Sequence, residues 1–254
     1  GEEGFVGDTS LLYHRNPPSA ITAIERVDAP DDELVPNDPM TPLHLQPHQL
    51  PGKGDAVLDR FLLLGNDEVR IYYAVATQDS TLYKNSVGDE LAYVESGRGV
   101  LETTFGKLDL SEGDYAIVPT STIHRWTVAD GEELRLLFVQ AVGHINPPSR
   151  YLSAGGQFLE GTPYCELDIR RPEELVRGEG THVPVVVRTR TGLTRHVHKH
   201  HPFDVVGWHG GMYPWAFSIF DFEPVTGSLH QPPPAHQILE APGFMMCNFV
   251  PRLL

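Results

Sequence analysis

Cysteine is scarce in this chain, and its two cysteines, Cys165 and Cys247, lie far apart in the sequence. Two such thiols do not form the disulfide framework that stabilises small secreted domains. We therefore expect both to be reduced, as in cytoplasmic proteins. No apolar run reaches the roughly 20 residues of a membrane span, and no signal peptide is recognisable. These absences predict a cytoplasmic protein without a membrane partner.

Positive charge is also in short supply, with 19 Lys and Arg residues against 34 Asp and Glu residues. The formal net charge of −15 repels phosphate backbones, which argues against nucleic acid as the main partner. An anionic substrate stays possible, because one arginine or a metal ion can reverse the field inside a cleft.

Amphipathic helical windows are missing as well, since no segment of residues 56–145 keeps apolar residues at i, i+3 and i+4. Glycine (24 residues) and proline (22 residues) instead separate many short strand-like segments. The predicted strands of this region are 59–65, Val69–Ala76, 89–95, 100–105, 108–110, 115–118, His124–Val128 and Leu134–Ala141. The pattern predicts an all-β fold with a jelly roll or closed barrel over residues 56–145.

The segments on either side of the barrel are less regular. Residues 1–55 are predicted to be an irregular lead-in with a strand at 10–15, and residues 28–51 a surface wrap without helix. Residues 146–254 are predicted to be a linker and the first strands of a second half. Its expected elements are one or two helical turns at 172–177 and strands at 183–190, 193–197 and 215–222.

Gly113, Pro119 and His124 have the spacing of the second cupin motif, so this block resembles a cupin. The first cupin motif should bring a His-x-His pair and a glutamate near residues 85–95, but only Glu90 is present. A metal site needs about three imidazole or carboxylate ligands. We therefore expect a cupin scaffold with His124 near its mouth and no metal.

A cluster of histidines follows at residues 195–201. In a strand, His196, His198 and His200 share one face, as metal ligands could. The alternative is an exposed edge strand whose polar face happens to be histidine. The second interpretation is favoured, because metal sites usually draw ligands from several elements and because Arg195 and Lys199 are adjacent.

Two other stretches place histidines beside stiff or bent backbone. In residues 202–214, Trp208 and His209 precede a glycine pair, and in residues 229–237, His230 and His236 flank three prolines. Together with residues 12–15, 221–222 and 249–252, these stretches resemble homogentisate 1,2-dioxygenase. The resemblance covers nearly the whole chain.

The resemblance implies an N-terminal β-domain leading into a second cupin that holds non-haem Fe(II). The iron ligands, two histidines and a glutamate, are then expected beyond Leu254, so this chain would be a fragment, inactive alone. His230 falls on the family's proton-abstracting histidine, whereas His236 matches no catalytic position. The implied reaction is cleavage of homogentisate by O2 to maleylacetoacetate in tyrosine and phenylalanine catabolism, by a trimer-based homo-oligomer.

Two alternatives from other classes stay open. The chain could be a metal-free bicupin that binds a small molecule or stores protein mass. It could also be a metal-dependent cupin isomerase that uses the cluster from His196 to His201. A His, a Glu and a further His in the reading frame after Leu254 would favour the dioxygenase.

Overall fold

The structure, a computed structural model, describes residues 7–28, 33–223 and 236–249. These residues form 17 β-strands and four short 3-10 helices, and none of them lies in an α-helix. The all-β prediction is therefore confirmed. Among the described residues, no helix is long and apolar enough to cross a membrane.

The strands are β1 (Ser10–His14), β2 (Ile21–Val27), β3 (Phe61–Gly65), β4 (Val69–Ala76), β5 (Tyr83–Asn85), β6 (Glu90–Ser96), β7 (Arg98–Thr103), β8 (Gly106–Ser111), β9 (Asp114–Val118), β10 (His124–Val128), β11 (Leu134–Ala141), β12 (Thr181–Thr189), β13 (Gly192–His200), β14 (Val205–Gly210), β15 (Trp215–Ser218), β16 (Gln237–Ala241) and β17 (Phe244–Cys247). The 3-10 helices are Pro47–Gln49, Ser149–Tyr151, Glu166–Asp168 and Ile219–Asp221.

Two large sheets form a β-sandwich. One has seven strands in the order β2-β13-β12-β5-β10-β7-β8, and the other has six in the order β15-β9-β6-β11-β4-β3. Within them only the pairing of β12 with β5 is parallel. Side chains from both sheets meet in one core, in which Trp126, Tyr72, Tyr83 and Phe138 are the bulkiest members. This arrangement confirms the predicted cupin-like jelly roll.

The inner strands of the six-stranded sheet are covered on both faces. On β9, Ala116 and Val118 face the sandwich core, whereas Tyr115 and Ile117 join a second apolar cluster on the outer face. The residues that cover this outer face come from beyond residue 144 and include Ile145, Tyr151, Tyr164, Phe217, Ile238 and Leu239. Burial on both faces explains why every residue of β9 is buried and the strand sequence does not alternate.

A two-stranded ribbon of β1 and β14 lies beside the seven-stranded sheet. Trp208 pairs with Leu12 across the ribbon, and its indole Nε1 donates a hydrogen bond of 2.7 Å to the carbonyl oxygen of Phe105. The Trp208 and Phe105 rings meet edge to face at 5.1 Å. Trp208 therefore attaches the ribbon to the end of β7, at the position where the sequence shows a glycine-rich bend.

Three local predictions need correction. Residues 172–177 form no helical turn, because the carbonyl of Glu174 instead accepts a hydrogen bond from the amide of Lys107 on β8. The strand expected at 215–222 ends at Ser218, whose hydroxyl accepts from the Phe220 amide and starts a 3-10 helix. The predicted helix-free wrap contains one short 3-10 helix, Pro47–Gln49.

Strands on both sides of the predicted domain boundaries share sheets. Val186 of β12 pairs with Tyr83 of β5, and Ala216 of β15 pairs with Ala116 of β9. β2, from the lead-in, pairs with β13. The division into residues 1–55, 56–145 and 146–254 stays a prediction.

Two turn glycines provide a test of this packing. Gly97 has φ +90° and a Cβ there would lie 2.2 Å from the Glu133 carbonyl oxygen, whereas Gly131 has φ +74° and nothing within 4 Å. Alanine strains the backbone at both sites by about 1–2 kcal/mol, but only Gly97→Ala adds a backbone clash. We expect Gly97→Ala to lower the free energy of unfolding by about 1–3 kcal/mol more than Gly131→Ala in urea titrations. Equal losses would contradict the described turn.

Candidate functional site

A polar cluster lies in the otherwise apolar interior of the sandwich. Its members are all buried, and they are Arg60, Tyr83, Asn85, Glu90 and His124. Tyr83 and Asn85 come from β5, Glu90 begins β6 and His124 begins β10. Arg60 comes from the loop that enters β3, so four separate segments converge on one point.

The loop that carries Arg60 is fixed by Asp55. The Asp55 carboxylate accepts hydrogen bonds from the amides of Val57 and Thr81, both at 2.6 Å, and from the amide of Leu58 at 3.2 Å. Ala56 and Val57 are buried in the core beside it. This Asp55-capped turn directs the Arg60 side chain inward rather than to solvent.

Glu90 is the acceptor at the centre of the cluster. The Arg60 Nη2 and Nη1 atoms lie 3.3 Å and 3.4 Å from its two carboxylate oxygens. The Tyr83 hydroxyl donates to Oε1 at 2.6 Å, and the Asn85 side-chain amide donates to the same oxygen at 3.2 Å. The Glu90 carboxylate is thus paired with two guanidinium nitrogens of Arg60, and it also accepts from two neutral donors, Tyr83 and Asn85.

Three aromatic rings lie close to the guanidinium group of Arg60. The Arg60 Cζ atom lies 4.8 Å from the ring centroid of Tyr72, 5.3 Å from that of Tyr83 and 5.1 Å from that of Phe138. These distances are within the range of cation–π attraction. The cation is therefore stabilised by three rings as well as by the carboxylate.

The pairing keeps both charged groups ionised. Burial alone would lower the pKa of Arg60, but the Glu90 carboxylate outweighs it and the pKa lies above its usual value. Burial alone would raise the pKa of Glu90, but the Arg60 guanidinium holds it below the usual value. Burial and the Glu90 charge raise the pKa of the Tyr83 hydroxyl, so Tyr83 stays a donor.

His124 completes the cluster as a neutral imidazole. Its Nδ1 atom lies 2.9 Å from the Thr122 carbonyl oxygen, which can only accept, so Nδ1 carries the proton. Burial lowers the pKa of His124. Its Nε2 atom is buried without a hydrogen-bond partner among the described residues. The prediction that His124 lies near a barrel mouth is wrong, because Tyr83 and Trp126 contact its ring edge to face in the core.

These residues do not fit an iron site. Only Glu90 and His124 are of the types, carboxylate and imidazole, that form a facial triad, and the Glu90 carboxylate is already paired with Arg60. In residues 7–28, 33–223 and 236–249, no three His, Cys, Asp or Glu side chains are grouped so that they could hold a metal ion. A metal ion at this position would find one imidazole nitrogen and a carboxylate that is already paired.

The histidine cluster of β13 does not lie on an exposed edge strand, so that prediction is wrong. β13 is hydrogen bonded to β12 on one side and to β2 on the other, with His196 paired to Ile24. The lead-in strand β2 forms the edge instead. As a result His198 is only 6% exposed.

His198 also lines a small cavity of about 30 Å³ under the start of the ribbon. Other polar residues of its wall are His14, Asn16, His200, His201 and Asp204. His14 Nδ1 lies 2.6 Å from an Asp204 oxygen, and the Asn16 amide donates to the other oxygen at 2.9 Å. Burial opposes ionisation of Asp204, but the hydrogen bond from His14 holds its pKa below the usual value. The cavity lies between the end of β1, the end of β13 and the residues before β14, and it offers no three-ligand metal site in the described chain.

The remaining predicted site residues lie apart from the cluster. His209 is exposed on the ribbon, where its Nδ1 atom is 3.4 Å from the Tyr13 hydroxyl. His236 precedes β16, and its ring is 5.1 Å from that of Phe249. His230 falls outside the described residues, so its proposed role stays a prediction.

Sequence reasoning missed Arg60, although a signal for it exists. Arg60 is a lone cation beside the apolar residues 61–64, and such a residue either ends a strand or is buried with a partner.

A groove of about 830 Å³ lies at one rim of the sandwich, and no sequence pattern indicates it. Its lining includes Arg70, Gln140 and Arg188. The Tyr72 hydroxyl donates to Gln140 and links this groove to the cluster.

The barrel matches a known protein family, and longer stretches of the chain are similar to curated proteins. The sequence pattern of the family described as "Cupin domain" matches residues 71–140, which run from β4 to β11. A protein of Saccharolobus solfataricus named "Putative dioxygenase SSO1533" is 35% identical over 255 residues, covering 100% of this chain and 66% of that protein. The homogentisate 1,2-dioxygenase of Legionella pneumophila is 28% identical, covering 86% of this chain and 53% of the enzyme.

Among solved structures, a cupin superfamily protein of Desulfitobacterium hafniense has a TM-score of 0.33 and 19% identity, covering 46% of this chain and 96% of its own. The chain thus spans less than two thirds of the length of the curated relatives described above.

Acidification should weaken the fold through His198. Burial lowers its pKa, as do the charges of Lys84, His196 and His201. The unfolded chain then binds the proton more readily, so stability falls as the pH drops below about 6.5 toward the lowered value. We expect the free energy of unfolding to decline between pH 7 and pH 5, and His198→Gln to flatten that decline in urea titrations.

The matched control is His44→Gln, which replaces an exposed histidine. It should leave the decline unchanged. A decline in His198→Gln as steep as in the wild-type chain would show that this histidine does not contribute.

Proposed function

We propose that this chain, whose residues 71–140 match the cupin domain family, is the N-terminal part of an Fe(II)-dependent, ring-cleaving dioxygenase. The observation that carries the proposal is the 35% identity, along the full chain, to a relative named as a dioxygenase. Similarity to homogentisate 1,2-dioxygenases supports it at lower identity. Homogentisate is accordingly the proposed substrate, with O2 as co-substrate and maleylacetoacetate as product.

The described residues would contribute the scaffold of this enzyme rather than its metal ligands. Glu90 and His124 are too few to form a facial triad, and Arg60 pairs with Glu90. We therefore propose that the two histidines and one glutamate that hold Fe(II) come from sequence beyond Leu254. A trimer-based, cytoplasmic homo-oligomer completes the proposal.

The proposed contribution of this chain to the chemistry is His230. Pro232, Pro233 and Pro234 fix three successive φ angles, so the chain beside them can present an imidazole in one orientation. Imidazole titrates near neutral pH and can take a proton from a substrate hydroxyl. His230 is thus the proposed general base.

A metal-free cupin that binds a small molecule is the second candidate function. The groove of about 830 Å³ at the rim favours it, since its size suits a small ligand. Three arginines and three acidic residues line the groove, namely Arg70, Arg188, Arg190, Glu33, Asp67 and Glu68. The reading frame after Leu254 separates the two candidates, because only the dioxygenase requires His, Glu and His ligands there.

The first prediction from the proposal concerns the 254-residue chain alone. It should bind no stoichiometric Fe(II) and should not cleave homogentisate, because its described residues provide no three-ligand site. Metal analysis after anaerobic loading and an oxygen-uptake assay measure both. Tight one-to-one iron binding would contradict the proposal that the ligands lie further along the sequence.

The second prediction concerns the protein extended by its downstream sequence. His230→Ala should lower turnover by about 10²–10⁴-fold, the usual loss when a general base is removed, with unchanged iron content. His236→Ala, on the other side of the prolines, should cost far less. Near wild-type turnover in His230→Ala, or loss of its iron, would show that the assigned role is wrong.

A further inference from the structure

We propose that Arg60, rather than a metal ion, supplies the cation beside the two cupin-motif residues of this barrel, in a pocket that is selective for planar guanidinium-type cations. Glu90 and His124, the two residues that match the cupin motifs, converge there with Arg60 between the sheets. The proposal does not depend on the dioxygenase assignment, because it concerns only the described barrel.

The contacts of Arg60 match the shape of a guanidinium group. Two of its nitrogens face the two Glu90 oxygens in a fork, at 3.3 Å and 3.4 Å, and Nη2 also donates to the Tyr83 hydroxyl at 3.0 Å. A fork of donors in one plane is a property of guanidinium and not of an ammonium group or a metal ion. The pocket therefore recognises the group by its geometry as well as by its charge.

The rings beside the cation favour the same chemical class. Tyr72, Tyr83 and Phe138 lie within 4.8–5.3 Å of the guanidinium carbon and replace its water shell with aromatic faces. Guanidinium is weakly hydrated and tolerates this exchange, whereas a divalent ion needs lone pairs from about three or more ligand atoms. The pocket offers a carboxylate and one imidazole nitrogen to such an ion.

The charge count also fits one monovalent cation. Glu90 is ionised, Tyr83 keeps its proton, and His124 is neutral with its proton on Nδ1. Among the five residues of the cluster, Arg60 is the one cation, and it balances the charge of Glu90. A divalent ion in its place would leave an uncompensated positive charge in the core, which is costly in a medium that screens poorly.

The experiment removes the internal cation and offers free ones. Arg60→Ala should lower the melting temperature, and millimolar methylguanidinium chloride should then raise it by about 2–6 °C at roughly tenfold its dissociation constant. Sodium chloride at equal ionic strength, and the chlorides of Ni2+ and Co2+, should not. A larger rise with Ni2+ or Co2+, or no response to any cation, would overturn the proposal.

Three variants make the result specific. Arg60→Ala/Glu90→Gln lacks the carboxylate and should lose the response to methylguanidinium. Arg98→Ala removes a surface arginine, 71% exposed and paired with Glu132, and should show no response. Arg60→Lys keeps the charge without the fork and should melt below the wild-type chain. Wild-type stability in Arg60→Lys would show that the pocket does not select the guanidinium shape.

A second measurement applies if the Arg60→Ala chain is obtained in an unfolded state. The variant is then refolded from urea with and without methylguanidinium, and the yield of folded protein is measured by circular dichroism. A higher yield with methylguanidinium, but not with sodium chloride, supports the proposal. Equal yields with the two salts overturn it.

Discussion

A carboxylate buried between two β-sheets must find its positive charge and its hydrogen-bond donors inside the protein, because no solvent reaches it to supply them. Glu90 meets this constraint with Arg60, Tyr83 and Asn85, and the Arg60 and Glu90 side chains are 3% and 4% exposed. The partners come from different segments, so the carboxylate fixes how the loop before β3, the short strand β5 and the start of β6 come together. Removing one partner of such a pair typically costs about 3–5 kcal/mol.

β5 links this polar cluster to the rest of the chain. It has only three residues, yet Tyr83 pairs with His124 of β10 on one side and with Val186 of β12 on the other. The Tyr83 side chain meanwhile donates to Glu90 inside the sandwich. β12, which comes late in the sequence, therefore joins the sheet at Tyr83, the residue that also donates to the buried Glu90 carboxylate. A disturbance of the cluster is expected to reach β12 and β13 through this pairing.

The sequence predicts the parts of the fold that local patterns control. β4, β10 and β11 have the predicted bounds, because each is a short strand-like segment with turn residues beside it. The position of β2 beside β13 could not be predicted, since pairing between distant segments leaves no local trace. For the same reason, Glu90 and His124 could be recognised from the sequence as too few ligands for a metal site, but Arg60 could not be added to them. Arg60 comes close to these two residues only in the tertiary fold.

The nature of the internal cation limits what this barrel can do. A metal ion brings empty coordination positions that can accept a substrate or a water, whereas a guanidinium group brings only N–H donors and no coordination position. With Arg60 bonded to Glu90 and enclosed by Tyr72, Tyr83 and Phe138, the centre of the barrel has structural charge but no reactive position. In a longer dioxygenase, the reaction would therefore have to take place outside this barrel. This barrel would then contribute to the reaction only by positioning the segments that adjoin it.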